Sequence, residues 1–187
     1  MDIVLPQNFL VALCFLLGGI LGSFANVVIV RFDAERGWDN VTFPPSHCQN
    51  CKTQVSWFHN IPIFSWFILR GKCPHCGTRF SLRYSLVELL TAVLFALLAY
   101  KFGYSWRLVE LCYFAFALVI CSFIDLDTML LPDVFTLSGV AIGLLGAMLI
   151  PERSFWDAFF GALVGGGFLY AVAVLYQLVR KQEGMGG

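Results

Sequence analysis

The stretch FLVALCFLLGGILGSFANVVIV, Phe9–Val30, is a run of apolar and small residues without a charged side chain. A helix needs about 20 such residues to cross the hydrocarbon core of a bilayer, and this run meets that length. Four further apolar stretches follow it along the chain: Leu86–Tyr100, Leu108–Ile124, Val134–Ile150 and Phe155–Val179. The pattern predicts an all-α polytopic membrane protein with about five transmembrane helices.

The composition favours the same fold class. Hydrophobic residues make up 59% of the 187 residues against 13% charged, and the mean hydropathy is +0.78. A soluble domain of this size could not bury so much apolar surface. The 12 Lys and Arg are balanced by 12 Asp and Glu, so net charge gives no reason to expect nucleic-acid binding.

The distribution of basic residues predicts the orientation, because cytoplasmic loops of membrane proteins carry an excess of Lys and Arg. Threading five spans places nine basic residues on the side of the loop that joins the first two spans, and three on the opposite side. The nine are Arg31, Arg36, Lys52, Arg70, Lys72, Arg79, Arg83, Arg180 and Lys181, and the three are Lys101, Arg107 and Arg153. The N-terminus is therefore predicted outside and this loop in the cytosol.

The predicted cytosolic loop contains two Cys-x-x-Cys pairs, Cys48/Cys51 and Cys73/Cys76. The cytosol keeps thiols reduced, so we interpret the pairs as metal ligands before disulfides. Their spacing is close to that of zinc ribbons, and four thiolates complete a tetrahedral structural zinc site. His47 and His75 adjoin the pairs and could replace a cysteine as ligand, although a solvated loop histidine is the more ordinary interpretation.

Three segments are predicted: a first transmembrane helix over 1–31, a Cys-rich zinc-binding loop domain over 32–84, and the remaining helices over 85–187. A loop of this length is too small for a robust hydrophobic core, and a bound metal would supply the missing constraint. The apolar segment Ile61–Leu69 inside the loop is too short to span, and we interpret it as interfacial or re-entrant.

Small residues recur at helix-contact spacing in two of the spans, Gly18-x3-Gly22 and Gly161-x3-Gly165. Such pairs let helix backbones approach closely, so packing is predicted at both. The remaining cysteines, Cys14, Cys112 and Cys121, lie within spans and are expected to be apolar packing residues.

The segment IDLDTMLLPD, Ile124–Asp133, carries three carboxylates at the cytosolic turn between the third and fourth predicted spans. Asp133 follows Pro132 at a helix start, where an acid complements the helix dipole. Asp125 ends the apolar run and is the carboxylate expected at the membrane boundary, where an ionisable group is a candidate for catalysis. A solvated turn acid is the alternative. One carboxylate does not make an aspartic protease, since that chemistry needs two that share a proton.

Several motifs together resemble the type IV prepilin peptidases, the bifunctional prepilin leader peptidase/N-methyltransferases of bacterial pilus and type II secretion systems. The matching pieces are GSFANVVIVR (Gly22–Arg31), both Cys pairs, NIP (Asn60–Pro62), RGKCPHC (Arg70–Cys76), RYSLVELL (Arg83–Leu90), IDLDTMLLPDVFTL (Ile124–Leu137) and EGMGG (Glu183–Gly187). They span nearly the whole chain in family order. Two positions depart from the family pattern: Ser85, where proline is common, and Ala25, where a larger apolar residue is usual.

The resemblance implies roles for particular residues. Asp125 matches the first catalytic aspartate of the family. The cysteines that match its zinc-binding positions are Cys48, Cys51, Cys73 and Cys76. The second aspartate belongs to a GxGD motif that Gly186 and Gly187 resemble in its opening residues, and it would fall two positions past Gly187. The resemblance thus implies a sequence truncated at its C-terminus and inactive alone.

The implied function is cleavage of the basic leader from prepilins and pseudopilins at the cytosolic face of the bacterial inner membrane. The resemblance adds N-methylation of the new N-terminus with S-adenosylmethionine, for which the residues themselves offer no fingerprint. A non-enzymatic zinc-knuckle membrane scaffold is the alternative function. A metal transporter that captures ions with the cysteines is less consistent with four sulfur ligands, because a closed site of this kind is typically structural.

Overall fold

A computed structural model describes residues 6–32, 48, 50, 51, 53, 71–150 and 153–180. Its helices are α1 (Gln7–Arg31), α2 (Leu82–Phe102), α3 (Trp106–Thr128), α4 (Asp133–Leu149) and α5 (Phe155–Arg180). Each helix coincides with one of the five apolar runs, so the all-α prediction is confirmed. Three predicted features, Ile61–Leu69, Asn60–Pro62 and Glu183–Gly187, lie outside the described residues.

Helix lengths and exposed surfaces agree with a polytopic membrane protein. Among the described residues, α1, α2, α3 and α5 are long and apolar enough to cross a bilayer. The α4 helix has 17 residues, which at a rise of 1.5 Å per residue measures about 25 Å. Large apolar side chains cover the outer faces of all five helices. Contact of so large an apolar surface with lipid is favourable, whereas its contact with water is unfavourable.

The contacts divide the chain into two compact units, Met1–Phe123 and Ile124–Gly187. In the first unit, α1 packs along α2 through glycines at the contact. A Cβ atom added to Gly18 would lie 2.8 Å from the Cα of Ala92, and one added to Gly22 would lie 2.7 Å from the Cα of Glu88. Both distances are too short for a carbon–carbon contact. Only glycine therefore permits this approach, and the packing predicted for these two residues is confirmed.

Near the start of α1, three helices of the first unit share a cluster of buried side chains. Its buried members are Leu10, Cys14, Phe95, Ala99 and Leu108, and Cys112 packs against them. The positions Phe95 and Ala99 are one helical turn apart on α2 and face α1. Cys14 and Cys112 are therefore packing residues, as the sequence predicts. The α2 helix ends at Phe102, and the next residue, Gly103, caps it with a φ of 57° in the left-handed region.

At the other end of the same unit, polar side chains tie the helices together. Asn26 on α1 is buried, and its Nδ2 atom donates a hydrogen bond to the carbonyl oxygen of Tyr84 on α2 at 2.8 Å. Arg83 donates from Nη2 to the carbonyl oxygen of Phe123 on α3 at 2.9 Å, and its guanidinium lies 4.9 Å from the Phe123 ring centroid. An amide or a guanidinium in an apolar bundle must find such partners, so these contacts fix which helix faces meet.

The second unit contains α4 and α5, which contact each other. Most described side chains of α5 are exposed, and a Cβ atom added to Gly161 or Gly165 would have no neighbour within 4 Å. The close packing predicted for this glycine pair is therefore not present among the described residues. At the start of α5, four aromatic rings contact one another, with Phe155 and Phe159 stacked and the other pairs edge-on or tilted; the rings are those of Phe155, Trp156, Phe159 and Phe160.

Candidate functional site

The two Cys-x-x-Cys pairs lie in turns that have the same backbone hydrogen bond. The N–H of Cys48 donates to the carbonyl oxygen of Thr53 at 2.9 Å, and the N–H of Cys73 donates to the carbonyl oxygen of Thr78 at 2.8 Å. Both turns have the sequence pattern Cys-x-x-Cys-x-Thr. Each turn folds its two thiols to the same side, which is the arrangement that a shared metal ion requires.

Short-range contacts hold the second turn on the start of α2. Gly77 has a φ of 71° and donates its N–H to the carbonyl oxygen of Cys73 at 2.9 Å. Lys72 and Arg79 form an antiparallel bridge, and the Phe80 N–H donates to the carbonyl oxygen of Gly71 at 2.7 Å. The left-handed backbone at Gly77 explains why glycine follows the second cysteine of this pair.

The four sulfur atoms come together. The Sγ atoms of the group all lie within 4.8 Å of one another. The separation is 3.8 Å for Cys48 and Cys76 and 4.0 Å for Cys51 and Cys73. A tetrahedral zinc with Zn–S bonds of about 2.3 Å would separate its sulfurs by about 3.8 Å. All four thiols are free rather than paired in disulfides, so the residues fit a metal ion and the group could hold one.

The thiols differ in their surroundings. Cys48 and Cys73 are buried, with exposed fractions of 2% and 4%, whereas Cys76 is exposed. Cys76 Sγ lies 3.3 Å from Thr78 Oγ1. Hydrogen bonds from the Thr78 side chain and backbone lower the pKa of Cys76 to about 6. A thiol with a lowered pKa is largely thiolate at neutral pH, and the thiolate is the form that binds a metal.

The histidines are not part of this group in the described residues. His75 lies in the second turn and is exposed, and the metal-binding group consists of the four cysteines. His47 is outside the described part of the chain.

The acidic turn lies in the second unit. α3 ends at Thr128, and Met129 adopts a left-handed φ of 56°. The Met129 N–H donates to the carbonyl oxygen of Asp125 at 2.8 Å. Thr128 Oγ1 accepts the N–H of Leu130 at 3.3 Å and donates to the carbonyl oxygen of Ile124 at 2.9 Å. These bonds satisfy backbone groups at the helix end and turn the chain towards α4.

The three carboxylates of the turn are exposed side chains. Asp125 and Asp127 lie in the last turn of α3, and Asp133 is the first residue of α4. Pro132 precedes α4 as its N-cap residue rather than occupying its first helical position. Asp133 is nevertheless in the first turn, where its charge complements the helix dipole. Asp125 is therefore an exposed carboxylate at a helix end.

Three polar residues that organise the first unit are neither ionisable nor sulfur-bearing, and the sequence patterns above do not predict them. Asn26 links α1 to α2, and Asn50 Nδ2 donates to Thr78 Oγ1 at 2.9 Å, which links the two cysteine turns. Two signals were available. One is an amide within an otherwise apolar span, and the other is the repeated threonine two residues after each pair.

Comparison with known proteins extends over the whole chain. A family profile described as the bacterial peptidase A24 N-terminal domain matches residues 16–102. A second, described as the type IV leader peptidase family, matches residues 112–187. No solved structure matches the chain significantly.

Curated relatives share the same description. A prepilin leader peptidase/N-methyltransferase of Neisseria gonorrhoeae is 37% identical over 99% of this chain and 72% of its own length. The proteins of that description from Stutzerimonas stutzeri and Pseudomonas aeruginosa are 37% and 35% identical, over 93% and 100% of this chain and 68% and 71% of their own lengths. At this identity and coverage, the chain belongs to the prepilin leader peptidase/N-methyltransferase family of type IV leader peptidases.

Proposed function

We propose that this protein is a membrane aspartic endopeptidase that removes the basic leader from type IV prepilins and pseudopilins, and that it also methylates the new N-terminus. Family membership carries this proposal, since relatives named for both activities align with nearly the whole chain. The apolar helices support a site at the bacterial inner membrane, where the substrate's own apolar helix can lie beside them. The proposed orientation has the N-terminus outside and the Cys-rich loop in the cytosol.

Asp125 is the proposed catalytic residue on this chain. In an aspartic protease, one carboxylate of a pair takes a proton from water while the other protonates the carbonyl of the scissile bond. Asp125 matches the first aspartate of such a pair by its place in IDLDTMLLPD. The chain from Leu108 to Glu152 contains no Lys or Arg. The charged side chains of this stretch are therefore all acidic, which favours the approach of a basic leader electrostatically.

The cysteine group is the proposed zinc site, with a structural role. Four sulfur ligands leave no open coordination position, so the ion would hold the two turns together and bind no substrate. S-adenosylmethionine is the proposed methyl donor, and no residue is assigned to it. The domain division proposed from sequence, 1–31, 32–84 and 85–187, assigns the loop domain to zinc and the later helices to peptide cleavage.

The test is Asp125→Asn in the protein as encoded by its gene. The matched control is Asp133→Asn, which removes a carboxylate from the same acidic turn. Asp133 already has a structural explanation, because its charge complements the helix dipole at the start of α4. Membranes containing each variant are incubated with a prepilin, and loss of the leader is followed by mass. We expect wild type and Asp133→Asn to cleave, and Asp125→Asn to lose cleavage. Normal processing by Asp125→Asn would remove this residue from the mechanism.

The same assay separates the enzyme from a non-enzymatic zinc-knuckle scaffold. A scaffold would bind the prepilin and leave its leader attached in every variant, wild type included. Methylation is followed in parallel with labelled S-adenosylmethionine and a prepilin that has already been processed.

A further inference from the structure

The four cysteine ligands of the proposed metal site are unequally protected. Cys48 and Cys73 are buried, Cys51 is partly buried and Cys76 is exposed. An exposed thiolate is reached by water and by competing ligands, so the Cys76–metal bond is the first expected to open. How long the ion stays therefore depends on what holds Cys76 in place.

Thr78 and Asn50 are the polar side chains that keep Cys76 in position. The Thr78 hydroxyl has one hydrogen to donate and can also accept. Its Oγ1 atom accepts a hydrogen bond from Asn50 Nδ2 at 2.9 Å and lies 3.3 Å from Cys76 Sγ. Because Asn50 supplies the hydrogen on its side, the hydroxyl hydrogen of Thr78 remains available for the Cys76 thiolate. Asn50 belongs to the first cysteine turn and Thr78 to the second, so one short chain of hydrogen bonds crosses the site.

The two turns share a threonine beside their second cysteine and differ in the side chain that reaches this threonine. Thr53 occupies the place of Thr78 in the first turn; its hydroxyl donates to the carbonyl oxygen of Cys51 at 3.5 Å, and hydrogen bonds from Thr53 lower the pKa of Cys51. His75 occupies the place of Asn50 in the second turn and is exposed. Besides the approaches between sulfur atoms, the Asn50–Thr78 hydrogen bond joins the two turns, and it lies beside the exposed ligand Cys76.

We propose that Asn50 and Thr78 are positioning residues that keep Cys76 on the metal and set the rate at which the ion is released. The inference rests on the metal site proposed above and adds to its four ligands two residues that do not bind the metal but slow its release. Partners of metal ligands typically change metal affinity 10- to 100-fold when they are removed. Asn50 and Thr78 are exposed, so the lower figure applies, and we expect release to become about 10-fold faster without them.

The experiment measures zinc directly and needs no enzymatic activity. The detergent-purified protein is loaded with zinc, its metal content is determined, and release to a coloured chelator is timed. Asn50→Asp keeps the size of the side chain but turns the donor into an acceptor that captures the Thr78 hydrogen. Thr78→Val removes the hydroxyl and keeps the shape. Both variants should release zinc about 10-fold faster than wild type, and Cys76 should become alkylated faster in parallel.

Two controls distinguish a positioning role from general damage to the loop. Thr78→Ser restores the hydroxyl and should return the release rate to that of wild type. His75→Ala changes the corresponding residue of the other turn and should leave the rate unchanged. Cobalt substitution reports the ligand set, because four thiolates around cobalt give the same charge-transfer spectrum in every variant that keeps the site.

The outcomes are separable. Equal release from wild type, Asn50→Asp and Thr78→Val, each with one zinc, would overturn the positioning role and leave the metal site standing. Acceleration by His75→Ala to the same extent would also overturn it, because the effect would then not depend on the hydrogen-bonded pair. A wild-type protein that binds neither zinc nor cobalt would overturn the metal site itself.

Discussion

Replacing Gly22 by alanine should separate α1 from α2. The added Cβ atom would lie 2.7 Å from the Cα of Glu88 and 3.2 Å from the Cβ of Thr91. Carbon atoms in contact are normally separated by about 3.5 to 4.0 Å. The nearer neighbour is backbone and cannot rotate away, so the helices must move apart locally by about 1 Å.

That movement reaches the hydrogen bond one turn further along α1. Asn26 donates to the Tyr84 carbonyl at 2.8 Å, and an added 1 Å would lengthen the bond to about 3.8 Å, outside the hydrogen-bonding range. Overpacking costs about 1 to 3 kcal/mol and the lost bond about 1 kcal/mol, against about 1 kcal/mol gained from the helix propensity of alanine. The net expectation is a destabilisation of about 2 kcal/mol.

The assay is thermal unfolding of the detergent-purified protein, with Gly161→Ala as the matched control. Gly161 is also a helical glycine, but its added Cβ would meet nothing within 4 Å. We expect a clear fall in Tm for Gly22→Ala and no fall for Gly161→Ala. Equal Tm values for wild type and Gly22→Ala would refute the close approach of the two helices at Gly22.

Three further outcomes follow from the contacts of individual residues. Arg83→Met should lower the stability of the first unit by about 1 kcal/mol, measured by thermal unfolding, because it removes the bond to the Phe123 carbonyl and the contact with its ring. Met129→Gly should raise Tm, since Met129 has a φ of 56° and glycine relieves about 1 kcal/mol of left-handed strain; a lower Tm would show that the methionine side chain contributes more than the strain. Removal of the metal with a strong chelator should increase hydrogen exchange in residues 71–80, and unchanged exchange there would contradict a structural role for the ion.

The number of helices was predictable from the sequence because it depends on local composition. Their ends were less so. The second span was predicted to begin at Leu86, whereas α2 begins at Leu82. Arg83 and Tyr84 lower the hydropathy of that turn, yet Ser81 caps it by accepting the Arg83 N–H at 3.2 Å. Arg83 is stabilised by a partner on another helix, Phe123. Hydropathy scores a residue by itself and cannot include a tertiary partner.

The members of the cysteine group were predictable from the sequence, whereas the contacts around them were not. Spacing alone identified the cysteines, because a Cys-x-x-Cys turn directs two thiols to one ion. The contact between Asn50 and Thr78 depends on how the two turns face each other across 28 residues. No local pattern determines that relation. The repeated threonine marked the turns as similar, but it did not reveal that Asn50 of the first turn would reach the threonine of the second.

The second cysteine turn and the helix pair are joined without a flexible connection. Phe80 closes the turn with a backbone hydrogen bond of 2.7 Å, Ser81 caps α2, and the Tyr84 carbonyl accepts the bond from Asn26 on α1. These residues are adjacent or nearly adjacent in sequence. Displacement of the second cysteine turn would therefore strain the first turn of α2. A metal ion that fixes the turn therefore also stabilises the end of the α1–α2 pair. A closed metal site would therefore contribute to the stability of the helix pair, even though the proposed peptide cleavage occurs on a different segment of the chain.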